Sequence, residues 1–198
     1  MIRAPSPRRY LVGLSVPGAE PSDHRDLFSR VRSLLSGTDA QVIEVRISDA
    51  RVEVDLRTEA IAEALGRLRT LGEVQYRVEV GVEEPGADPF ERAVTLYANR
   101  RYWEAHEALE PLWRSSEGPE RALLNGLILL AAAHVKLQTG DVEGYFRLLG
   151  RALGRMEASG VREYRGLDVG AIAGAVRRVL GEGRTGFGLI PLVRRGDA

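Results

Sequence analysis

The side chains with most chemistry to offer gather in one stretch, Tyr102-Trp103-Glu104-Ala105-His106-Glu107-Ala108-Leu109-Glu110-Pro111-Leu112-Trp113-Arg114. An imidazole and a carboxylate four positions apart lie one turn apart on the same side of a helix, so His106 and Glu110 can meet. With His134 or Glu107 converging on them, the group could share one divalent ion. Two imidazoles and one carboxylate suit zinc and leave a coordination position open. His106, Glu110 and His134 are therefore the candidate metal ligands, and zinc or another divalent ion is the one cofactor the residues suggest. Metalloprotease helices need a second His at i+4, where this chain has Glu110, and no second carboxylate cluster completes a two-metal site. The competing reading makes His106 and Glu110 a satisfied polar pair that fixes helix register, with Arg114 or Arg121 balancing Glu107.

Other chemistries are closed by composition. The chain of 198 residues contains no cysteine, which removes disulfides, thiolate nucleophiles and Cys-ligated zinc. Lys+Arg and Asp+Glu both number 28, so no net field draws a polyanion, and nucleic acid is not expected as a partner. The cations are nearly all Arg, Lys136 being the one lysine. Residues 181–188 are rich in glycine but lack the strand-loop-helix setting and the Lys of a phosphate cradle. No apolar run is long enough for a membrane helix and Met1 to Tyr10 has no apolar core, so a cytoplasmic location is expected. His24 is expected to be solvated at a surface helix start.

The elements that hold the stretch are helices. Asp88-Pro89-Phe90-Glu91 is a helix start with an acidic N-cap, Pro at N1 and Glu at N3, and this helix runs to about Asn99. In the next helix Tyr102, Ala105, Leu109, Leu112 and Trp113 fall on one apolar face, with His106 and Glu110 on its border. Glu107 projects toward Trp103 and Arg114, while Glu104 and Pro111 take the outer side. A third helix, Glu120 to Gln138, is apolar all round except for Asn125 and His134, which marks it as the buried centre of the bundle and requires hydrogen-bond partners for both. A fourth runs to about Ala158 and a fifth from Asp168 to Gly181. In the tail, 184–198, Phe187, Leu189, Ile190 and Leu192 can dock, and the last residues fray.

The first half changes period. Strand Tyr10–Val16 and a helix capped by Ser22 and ended by Gly37 precede two alternating strands, Gln41–Ser48 and Arg51–Arg57, joined at Ser48-Asp49-Ala50. A second helix carries Ile61, Ala64, Leu65, Leu68 and Leu71 on one side, and Gly72 closes it in a left-handed conformation. The last strand, Glu73–Glu83, points Val74, Tyr76, Val78, Val80 and Val82 to one face. This β-α-β-β-α-β order is that of a ferredoxin-like sandwich. Its outer face would expose Glu44, Arg46, Glu53, Asp55, Arg77 and Glu79 and offer no aromatic on which RNA bases stack. The expected organisation is α+β: a sandwich over 1–84, a linker at 85–87, a bundle of about five helices over 88–183, and the tail.

Residues 88–180 resemble the helical family known as domain of unknown function 309. The resemblance rests on Tyr102 to Glu110 with Trp113, then Gly126-Leu127-Ile128 leading into Ala131-Ala132-Ala133, and Gly166-Leu167-Asp168. Asn125 stands where the family usually has Gln, and His134 one position before a His often found there. The resemblance implies a helical fold and a functional surface but no reaction. Trp103, Glu104, His106, Glu107, Glu110, Trp113, Arg114, Asn125 and His134 form the candidate functional or polar-core cluster.

Helix starts such as Arg101-Tyr102-Trp103-Glu104-Ala105 and Gly140-Asp141-Val142-Glu143-Gly144 are similar to those of tetratricopeptide arrays, although the 34-residue period of such arrays is not sustained. Paired helices of this kind make a groove for a peptide, with Arg101 and Glu104 expected to be exposed in it. The leading expectation is thus a binding or scaffold module for a protein or peptide partner, with the sandwich serving homodimer formation or ligand sensing. The alternative is a metal-dependent hydrolase or other enzyme using His106, Glu107 and Glu110.

Overall fold

A computed structural model describes residues 7–49, 51–81, 86 and 88–195. The protein is α+β and divides into two compact units, 1–84 with 138–140, and 85–137 with 141–198. Ala50 of the β-hairpin turn, Pro85 and Ala87 of the linker, Val82 and Glu83 of the last strand and the final three residues lie outside the described residues.

The first unit runs β1 (Arg8–Ser15), a 3-10 turn (Pro21–Asp23), α1 (His24–Leu34), β2 (Gln41–Ser48), β3 (Arg51–Thr58), α2 (Ile61–Leu68) and β4 (Glu73–Glu79). The strands form one antiparallel sheet in the order β2-β3-β1-β4, as a ferredoxin-like sandwich requires. Its core joins Val12, Leu14, Val45, Ile47, Val52, Val54 and Leu56 of the sheet to Leu27, Val31, Ala64 and Leu68 of the helices.

Several sequence expectations are corrected in this unit. Ser22 sits inside the 3-10 turn, whose first residues are held by Asp23 accepting from the Glu20 amide at 2.9 Å. Gly72 does not have a positive φ; a side chain there would put Cβ 2.0 Å from the Ser15 carbonyl oxygen, so close backbone approach is what requires glycine. His24 is not solvated but half-buried, its Nε2 2.9 Å from Glu44. The register of β2 slips between Val42 and Glu44, which packs Val42 on the core and leaves Ile43 exposed. A second slip, in β4, pairs Gly13 with Tyr76 but Leu14 with Val74. Val74 therefore keeps to the helix-covered face while Tyr76 turns to the other one, where its hydroxyl donates to Glu53 at 2.6 Å.

That other face is not a solvated surface. Arg46, Glu53 and Asp55 are buried, and they hold one another: Arg9 makes a two-pronged pair with Asp55 at 2.8 and 2.7 Å, and Arg46 reaches both Glu53 and Asp55 at 3.2 Å. Charges removed from water are tolerable only when paired and hydrogen-bonded in this way. Tyr76 also supplies the sheet aromatic that the alternation hid, but its ring lies against Gly13, where any Cβ would be 2.2 Å from it.

The second unit contains five helices among the described residues: α3 (Pro89–Ala98), α4 (Tyr102–Ser115), α5 (Gly118–Gln138), α6 (Val142–Ser159) and α7 (Val169–Glu182). Their starts follow the sequence. Asp88 accepts from the Phe90 amide, Asp141 from Gly144 and Asp168 from Ala171, each carboxylate satisfying an amide the helix leaves without a partner. Leu123, Leu124, Leu127, Leu130, Ala131 and Ala133 put α5 in the middle of the core. A hairpin that the periodicity does not announce, β5 (Glu163–Tyr164) with β6 (Leu167–Asp168), precedes α7 and turns at Arg165 and Gly166, both with positive φ. The tail docks here: Asp168 donates to the Val193 carbonyl, Arg195 to that of Gly166, and Ile190 is buried. No helix among the described residues is long and apolar enough to cross a membrane.

Candidate functional site

α4 is the element that presents the candidate residues. Tyr102, Ala105 and Leu109 are buried and anchor one face to the core, with Leu112 and Trp113 half-buried beside them. At the helix end, Arg121 of α5 donates to the carbonyls of Trp113 at 3.1 Å and Ser116 at 3.2 Å, and its guanidinium lies 4.5 Å from the Trp113 ring centre. Carbonyls that a helix leaves unserved are thus capped by a cation stacked on the tryptophan. Pro111 is exposed within the helix, and the Ser115 hydroxyl donates to its carbonyl at 3.1 Å.

Glu104 departs from expectation. It is 7% exposed and receives Arg101 on both oxygens at 2.5 Å, so neither residue lines an open groove. An acidic residue in the first turn of α4 faces the positive end of the helix dipole, and turning inward it needs a fixed cation, which Arg101 supplies from three positions earlier.

Trp103, Glu107, Glu110 and Arg114 follow at i, i+4, i+7 and i+11 and form a row along α4, flanked by His106 and Trp113. His106, Glu110 and Trp103 are half-buried, while Glu107 and Arg114 are exposed. The imidazole of His106 stands 3.8 Å from Glu107 through Nδ1 and 3.8 Å from Glu110 through Nε2. Neither separation is a hydrogen bond. His106 Nδ1 is screened from solvent and has no hydrogen-bond partner, and Arg114 holds the other oxygen of Glu110. His106, Glu107 and Glu110 can each offer one ligand atom within 4.8 Å of the others.

His134 is not brought to this group. It is sealed in the core among aromatic rings, stacked on Tyr102 at 4.5 Å and edge-on to Tyr97 and Tyr145 at 5.4 and 5.6 Å. Nδ1 lies 3.0 Å from the Leu130 carbonyl and 3.3 Å from the Tyr97 hydroxyl, which itself donates to the Ile190 carbonyl. That pattern assigns the proton to Nδ1 and leaves Nε2 buried without a donor. Burial, reinforced by the positive Arg100, lowers the imidazole to about 4 against the partial support of the Leu130 carbonyl, so His134 is neutral at physiological pH. Asn125 is only half-buried and does not share that environment.

A family model described as "Domain of unknown function (DUF309)" matches residues 90–148. The solved structure of the conserved hypothetical protein TTHA0068 from Thermus thermophilus is 41% identical over 46% of this chain and 94% of that one, with a TM-score of 0.40. No curated protein matches. Over residues 90–148, within the helical unit, the chain is similar to the DUF309 family.

Proposed function

We propose that the helical unit is a binding module and that it takes its protein or peptide partner along the α4 row. The observation that carries this reading is the half-open run of Trp103, His106, Glu107 and Glu110, in which the imidazole and the carboxylates beside it are incompletely matched by the fold. The core is already filled by Tyr102, Ala105 and Leu109 from the same helix, so the row is not needed to bury α4. Tryptophan beside charged groups supplies apolar area together with orienting contacts, the mixture that dominates binding energy at protein interfaces. Self-association falls to the sandwich in the same reading, supported by β4, an edge strand that is only partly buried.

A photo-crosslinking residue at position 107 tests the module in the full chain, with the exposed Arg178 of α7 as the control position. The expected result is a discrete adduct from position 107 that Trp103→Ala removes, and none from position 178. No adduct from position 107, or the same adducts from both positions, would overturn the assignment. A monomeric mass by light scattering at working concentration would overturn self-association.

A further inference from the structure

We propose that β4 pairs antiparallel with β4 of a second copy of this chain, about a two-fold axis through Val78, so that two four-stranded sheets become one. This rests on the self-association assigned to the sandwich above and names its edge, its register and the residues that hold it.

Of the two strands at the sheet edges, β4 has the usable margin. β2 buries Val45 to Ser48, and its more open half is broken by the slip between Val42 and Glu44. No residue of β4 is fully buried, and from Tyr76 to Val80 it runs in unbroken register with β1. The slip at Gln75 bounds this run on one side, and on the other Gly81, with a φ of 90°, leaves the extended conformation. A two-fold pairing that uses the whole run has its axis at the midpoint, Val78.

Backbone direction selects the same axis. The Val80 amide donates to the Arg9 carbonyl at 2.8 Å. Alternate residues of an antiparallel ladder bond to the same neighbour, so Tyr76, Val78 and Val80 turn their amides and carbonyls to β1, while Arg77 and Glu79 turn theirs to the open edge. With the axis at Val78, Arg77 lies opposite the partner's Glu79 and Glu79 opposite the partner's Arg77. Both are hydrogen-bonded pairs, and together they add about four main-chain hydrogen bonds.

Charge excludes the neighbouring registers. Arg77 is exposed and has no ion pair among the described residues, and Glu79 meets Arg8 at 3.4 Å from an exposed position. An axis at Arg77 or at Glu79 sets that side chain against its own copy, and an axis at Tyr76 sets Glu79 against the partner's Glu73. Like charges directly opposite each other destabilise a strand pair, whereas opposite charges stabilise it. The Val78 axis gives two opposite-charge pairs and places Val78 against the partner's Val78. Charged residues guard sheet edges against foreign strands, and here the guard is complementary to itself.

The chain has no cysteine, so one introduced thiol reports the register in the full protein. Val78→Cys should give a disulfide-linked dimer under mild oxidation, because facing residues of a non-hydrogen-bonded pair have Cα atoms about 4.5 Å apart. Arg77→Cys should not, since its two copies would stand beyond the roughly 7 Å that a disulfide spans. In sedimentation equilibrium Arg77→Glu and Glu79→Arg should each weaken the dimer about tenfold or more, by setting like charges opposite each other twice. An equimolar mixture of these two variants should recover dimers, because every carboxylate then meets a guanidinium. Linking of Arg77→Cys as readily as Val78→Cys overturns the proposal, as does a dimer that neither charge variant weakens or that the mixture fails to recover. In those cases self-association itself stands. A wild-type chain that stays monomeric at working concentration overturns both.

Discussion

His134 makes the pH dependence of stability calculable. In the folded chain its pKa is lowered to about 4 from the ordinary 6.5, chiefly by burial. Above pH 6.5 both states are neutral at this residue and it contributes no slope. Between 6.5 and 4 the unfolded chain takes up a proton that the folded chain refuses, so the unfolded state binds more protons and stability falls as pH falls. At about 1.36 kcal/mol per pH unit the loss is of the order of 3 kcal/mol, complete near pH 4, with nothing further below it. Urea unfolding of wild type and His134→Gln at half-unit steps from pH 7.5 to about 4 isolates the effect. The variant is less stable at pH 7, since it disturbs ring packing against Tyr102 and the bond to Leu130. Its curve should nevertheless be flatter by about 1.4 kcal/mol per unit within the window. Parallel curves for the two proteins would refute the account of His134 as a buried neutral imidazole.

Other substitutions test individual contacts by the same unfolding measurement. Gly126→Ala would put Cβ 2.8 Å from Met156 Cγ and 3.2 Å from the Ala152 carbonyl, and should cost about 1–3 kcal/mol. Gly174→Ala in α7 meets nothing within 4 Å and should instead stabilise by roughly 0.5–1 kcal/mol. Asp55→Asn strips the charge shared by Arg9 and Arg46 on the buried sheet face and should cost about 3 kcal/mol or more. His106→Ala should leave stability within about 0.5 kcal/mol of wild type, whereas a structural His-Glu pair predicts a clear loss.

The period of the sequence reveals both halves of the fold, because apolar residues recur at two in one and near 3.6 in the other. What it hides are single-residue events. An extra residue near Ile43 and another near Gln75 each move the following side chains to the opposite face, and nothing in an alternating pattern announces a bulge. Alternation misplaces Tyr76 for that reason. Arg46, Glu53 and Asp55 illustrate a different limit: charged residues at every second position read the same whether the face meets water or folds into a closed ion-pair network. Glu104 is another such case, its burial depending on a partner three residues earlier. By contrast, His134 is legible as buried, since a helix apolar on nearly every side leaves no solvent for a lone imidazole. Its separation from His106 is not, because that depends on which side of α5 meets α4.

The residues that carry the family resemblance divide by physical need. Tyr102, Ala105 and Leu109 fill the core, Gly126 lets α5 and α6 approach, and Gly166 turns the hairpin that delivers Asp168 to cap α7. Glu104 completes an ion pair at the first turn of α4. Each is accounted for by making this fold, so none points to a function. His106, Glu107 and Glu110 are different: they are partly open, mutually unsatisfied and dispensable to the packing of the helix that bears them. A fold under no demand other than stability gains nothing from screening Nδ1 of His106 from solvent without a hydrogen-bond partner. The chemistry of this protein is therefore to be sought at that short arc of α4, rather than in the buried histidine of the core or the paired charges of the sheet.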